Sequence, residues 1–111
     1  MHMLALLLVL AAAAPVHDAR CDSPKTDDLL SCGQAALDRA DTALNQQWRK
    51  MSHPAALLRA QRAWLAWRDA ECEAENYAKG GHEEEIVRLA CFADLTDQRA
   101  KQLRDNYRWM E

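Results

Sequence analysis

Residues 26–51 read TDDLLSCGQAALDRADTALNQQWRKM, and the period of their apolar positions decides the fold. Leu30, Leu37, Leu44 and Met51 recur at seven-residue intervals, with Ala40 and Trp48 on the same stripe. Apolar residues spaced this way lie on one face of a helix, and that face needs a neighbour to cover it. Gly33 costs about 1 kcal/mol relative to alanine inside a helix. The helix is therefore expected to start loosely, or to start after Gly33.

Two further stretches repeat the pattern. Residues 54–79 carry Leu57, Leu58, Gln61, Trp64, Leu65, Arg68 and Cys72 at helical spacing. Residues 83–110 carry Ile86, Leu89, Ala90, Ala93, Thr96, Ala100, Leu103 and Tyr107. Pro24, Pro54 and the pair Gly80-Gly81 fall at the joints. Proline suits a first helical turn, where its missing N–H has no partner to lose, and paired glycine suits a stop. No alternating β-branched run is present to make a strand. Short joints between long helices give antiparallel neighbours. The fold class is all-α, a small up-down-up three-helix bundle.

The chain has 111 residues, room for one domain. Ahead of that domain, Met3–Ala14 is an apolar run closed by small residues. Crossing a bilayer takes roughly 20 apolar residues, so the run is too short for a permanent anchor and fits an export signal. Residues 1–19 are read as that signal, with cleavage somewhere in 12–19, and residues 20–111 as the mature domain. Asp18-Ala19-Arg20 precedes Cys21, where lipid attachment calls for a small apolar tripeptide. The mature protein is expected to be periplasmic or secreted, with no stable membrane anchor.

Four cysteines, Cys21, Cys32, Cys72 and Cys91, belong to that domain. An even count in a small exported chain reads as two disulfides. Zinc prefers closely spaced pairs, which these are not. Level-matching favours one pairing. Cys72 lies seven residues before Lys79, roughly 10 Å below the end of the second helix at 1.5 Å per residue. Cys91 lies eight residues after Glu83, roughly 12 Å below the start of the third. Cys72–Cys91 with Cys21–Cys32 is therefore the favoured arrangement, and Cys32–Cys72 with Cys21–Cys91 is the alternative.

A formal charge of −3 with intermixed acidic and basic residues lacks the basic stripe that neutralises phosphates, so no nucleic acid partner is expected. His82-Glu83 begins like a zinc-protease motif, but position 86 is Ile. Ser23, Ser31 and Ser52 lie near helix starts, where capping accounts for them. No catalytic, metal or cofactor residues are assigned, and the chain reads as non-enzymatic.

Three motifs carry a family resemblance: Asp41-x-x-Leu44-Asn45, then Gln61-x-x-Trp64-x-x-x-Arg68-Asp69-x-x-Cys72, then Cys91-x-x-x-x-Thr96-x-x-Arg99-x-x-x-Leu103. In this order, behind an export signal, they resemble the lysozyme-inhibitor LprI-like N-terminal domain family over about Cys21 to Tyr107. The resemblance implies a small secreted or periplasmic bacterial helical domain. It also implies lysozyme inhibition, hence a lysozyme or other envelope protein as partner. The other classes are a structural or stress-resistance envelope protein and, last, a cell-wall-active enzyme. The motif residues are expected to be structural, with Arg68 paired to a carboxylate such as Asp41, and Thr96 bonded to the carbonyl one turn back. Glu83-Glu84-Glu85 suits a helix N-terminus and doubles as a candidate contact for a cationic partner.

Overall fold

A computed structural model describes residues 17–111, so nearly all of the expected export segment lies outside the described residues. Within them the chain forms α1 (Thr26–Arg49), α2 (Ala55–Glu75) and α3 (Gly81–Asn106), with short 3-10 turns at Ala19–Asp22 and Arg108–Met110. There is no strand among the described residues.

Local chemistry explains the ends. Asp27 and Asp28 sit in the first turn of α1, where the helix dipole favours negative charge. The Ser23 hydroxyl donates to Asp28 and accepts from the Lys25 backbone N–H, fixing the chain's entry. At the other end of α1, His53 stacks on Trp48 and bonds its carbonyl, which holds the turn into α2. The α2 helix stops at Glu75, a turn earlier than the periodicity suggests, because the next residue is Asn76. That side chain accepts from the Ala78 N–H and donates to the Glu84 carbonyl, giving the backbone an alternative to helix. Gly80 and Gly81 follow with φ of 86° and 67°, a region that side chains disfavour.

Two contacts fix the course of α3 relative to α1. Gly33, early in α1, faces Leu89, early in α3. The Ser52 N–H, just past the end of α1, donates to the Met110 carbonyl, just past the end of α3. These helices are therefore parallel. The α2 helix runs the opposite way along α3, tied by Cys72–Cys91 and by contacts of Arg68 with Thr96 and Gln61 with Arg99. The arrangement is up-down-up. The α1 helix is continuous through Gly33, where the absence of a Cβ permits close approach: a built Cβ would sit 3.0 Å from that of Leu89.

The α3 helix is the spine, and α1 and α2 pack on it without closing on each other. The core lies where α1 ends and α2 begins: Leu44, Met51, Leu57, Ala100 and Leu103, with Trp48, Trp64 and Tyr107 against them. Leu58 and Leu65, read from the periodicity as part of the covered stripe, are 36% and 39% exposed instead. The α1 helix does not reach across to cover them. Disulfides join Cys21 to Cys32 and Cys72 to Cys91, with Cα separations of 5.2 and 5.6 Å. None of the described helices is long and apolar enough to cross a membrane.

Candidate protein-binding site

The polar residues of the α2 motif spend themselves on α3. The Arg68 guanidinium donates from Nη1 to Thr96 Oγ1 at 3.3 Å, and from Nε and Nη2 to Asp69 Oδ1 at 3.2 and 3.1 Å. Its plane lies over the rings of Phe92 and Trp64, at 4.6 and 5.4 Å from their centroids. Arg68 is thus held by a neighbouring carboxylate and two aromatic faces, and Asp41 is not its partner. The error came from expecting α1 to pack on α2. Thr96, fully buried, receives a guanidinium N–H.

One helical turn further along, Arg99 is 6% exposed and donates from Nε to Gln61 Oε1 at 3.0 Å and from Nη1 to Gln102. No carboxylate meets it among the described residues, and its Nη2 finds no hydrogen-bond partner there. Burial pushes its pKa below the usual arginine range, with Tyr107 acting in the opposite sense. Gln61, Arg68, Thr96 and Arg99 therefore form a polar seam between α2 and α3, where a bundle ordinarily places apolar side chains. Leu103 belongs to the core and is fully buried.

Two of the openings beside the seam hold residues singled out in the sequence. Asp41, Leu44, Asn45 and Trp48 of α1 face Gln61, Leu65 and Arg68 of α2 across a cleft of about 260 Å³. Five of the residues that carry the family motifs thus share one cleft, which the separation of α1 from α2 creates. The second opening, about 410 Å³, lies at the α2–α3 hairpin. Its walls include Asp69, Glu73, Glu84, Glu85, Arg88 and Phe92.

Of the acidic triplet, Glu84 and Glu85 line this second cavity and Glu83 is exposed outside it. Glu84 Oε2 accepts from the Gly80 N–H at 3.0 Å, which closes the hairpin turn. Glu85 pairs with Arg88, whose hydrogen bonds hold the Glu85 carboxyl below its ordinary range. Glu73 makes no such internal pair. At the end of α2, the hydrogen bond and like charge of Glu71 push the Glu75 carboxyl above its ordinary range. The hairpin end is therefore an acidic concavity with one arginine inside it. Asn76 and Phe92, which shape this end, were not singled out from the sequence. An asparagine four residues before a glycine pair is the one signal that pointed to the first, and Phe92 offered none beyond its place on a helix.

These features define a class: a small helical module, stapled by two disulfides, with open clefts on its surface. The chain belongs to the family described as lysozyme inhibitor LprI, whose model matches residues 18–103. It is also similar to an uncharacterized protein of Rhizobium meliloti (strain 1021), 30% identical over an alignment covering 91% of each chain. No solved structure matches.

Proposed function

We propose that this protein is an exported, non-enzymatic module, periplasmic or secreted, that binds and inhibits a lysozyme-type hydrolase through the acidic end of its α2–α3 hairpin. The observation that carries the reading is the hairpin cavity in a member of this family. Four carboxylates, of Asp69, Glu73, Glu84 and Glu85, share its wall with the single cation of Arg88. Animal lysozymes are cationic, and an acidic concavity offers them complementary charge. Such complementarity raises the association rate and weakens with salt.

The test is a turbidity assay with lysozyme and a suspension of bacterial cell walls. The mature protein slows clearing, and less so as salt is raised. Glu73→Lys and Glu83→Lys, both at exposed positions, weaken the protection without changing the helical circular dichroism. Unchanged clearing in the presence of the protein would favour a structural envelope role, and accelerated clearing would mean that the chain itself attacks the wall.

A further inference from the structure

The order of charges along α2 runs against its own dipole. Arg59 and Arg62 stand in its first half, and Asp69, Glu71, Glu73 and Glu75 in its second, where Arg68 is the one cation. Its first turn holds no acidic residue and its last turn no basic one. A helix dipole favours the reverse, cations near the C-terminus and anions near the N-terminus. Nor does the helix pair Arg62 internally: three and four residues from it stand Leu58, Arg59, Leu65 and Ala66. Asp69 has Arg68 beside it, but its carboxylate is 60% exposed and open to a second cation. At the acidic end, the hydrogen bond and like charge of Glu71 push the Glu75 carboxyl above its ordinary range.

An apolar stripe accompanies the charges. Leu58, Arg62, Leu65 and Asp69 follow one another at helical spacings of four, three and four residues, all exposed. These are the spacings of a helix–helix seam. The stripe is also complementary to itself when reversed. In an antiparallel pair centred between Leu65 and Ala66, each Arg62 comes level with the partner's Asp69. Arg59 comes within one residue's rise, about 1.5 Å, of the level of the partner's Glu73. The two Leu65 side chains meet at the middle.

We infer that α2 is a self-association surface, on which a second copy of this chain packs antiparallel about Leu65 with reciprocal Arg62–Asp69 ion pairs. Such a contact is isologous and closes at two chains. It accounts together for the inverted charge order and for the exposure of Leu65. It does not depend on the inhibitor reading, because it is measured without lysozyme.

Sedimentation equilibrium of the mature, oxidised protein is the measurement, over micromolar to millimolar concentration. A dimer that loosens with salt is expected. Leu65→Glu and, separately, Arg62→Asp each raise its dissociation constant by about tenfold or more, since like charges then face each other. Combining Arg62→Asp with Asp69→Arg exchanges the two signs and brings the constant back toward the parent value. Circular dichroism confirms that every variant stays helical, as expected for exposed positions. A monomer at all concentrations would overturn the proposal, and so would a dimer indifferent to both single substitutions. Failure of the exchanged pair to recover association would overturn the antiparallel register.

Discussion

Arg68→Ala tests what holds the middle of α2. The Arg68 side chain is 15% exposed but its carboxylate partner Asp69 is 60% exposed, and a pair this open to solvent contributes little. The stabilisation is expected from the other contacts. Truncation removes the cation from the faces of Trp64 and Phe92, at about 0.5–1 kcal/mol each. It also leaves the fully buried Thr96 hydroxyl without the guanidinium, and an unsatisfied buried group costs about 1–3 kcal/mol. Together these give a loss of about 2–5 kcal/mol. Asp69→Ala is expected to lose under about 1 kcal/mol, and Arg49→Ala, on an exposed face of α1, to stay within about 0.5 kcal/mol of the parent. Urea melts of the oxidised proteins, followed by circular dichroism, measure all three. If Asp69→Ala costs as much as Arg68→Ala, the ion pair dominates and the weighing of contacts is wrong. If Arg68→Ala melts like the parent, the seam does not hold α2 at all.

Three further outcomes follow from the packing. Gly33→Ala gains about 1 kcal/mol of helix propensity but drives a backbone-fixed Cβ against Leu89, and overpacking of this kind costs about 1–3 kcal/mol; a lower melting temperature is expected, and a higher one would show that α1 and α3 part easily. Opening Cys72–Cys91 with paired alanines, a bridge between positions 19 apart, is expected to cost about 3 kcal/mol of global stability, whereas opening Cys21–Cys32 frees only the turn ahead of α1 and shows as local proteolysis. Arg88 holds the Glu85 carboxyl below its unfolded value, so their pairing contributes above about pH 4.5 and is lost as pH falls through the depressed folded value; a carboxyl titration by NMR should find Glu85 low in the parent and ordinary in Arg88→Ala.

The sequence made the three helices and their up-down-up course readable because a seven-residue apolar period and a few turn residues suffice to specify them. Leu30, Leu37, Leu44 and Met51 define the covered face of α1 without reference to anything else in the chain. Pro54 and Gly80-Gly81 mark the joints for the same local reason. Which helices touch was not readable, since it depends on how three stripes share one core. The leucines of α2 fit a closed bundle and an open one equally well, so periodicity alone puts Leu58 and Leu65 inside and offers Asp41 as a partner for Arg68. Glu84 illustrates the same limit at the candidate site. Its place near a helix start was legible, but its bond to the Gly80 N–H depends on the turn that Asn76 shapes from the other side of the hairpin.

The α2 helix is fastened to the domain chiefly at two levels, and this bears on where the protein can work. Its buried residues are Leu57, which enters the core at one end, and Cys72, which is bonded to α3 at the other. Between them lie the hydrogen bonds and aromatic contacts of the polar seam, each a modest net contribution of about 0.5–1.5 kcal/mol. Apolar packing would hold a helix in any redox environment, but a disulfide holds it only where thiols stay oxidised. Reduction therefore leaves the hairpin half of α2 tied by Arg68, Asn76 and the turn alone, while Leu57 keeps the other half in the core. Both the acidic cavity and the acidic end of the self-complementary stripe lie in the half that is released. Hydrogen exchange on the reduced protein should accordingly show protection lost first from about Asp69 to Glu75 and kept around Leu57 and Leu103. Protection retained from Asp69 to Glu75 after reduction would mean that the seam, rather than the disulfide, determines whether the hairpin end exists.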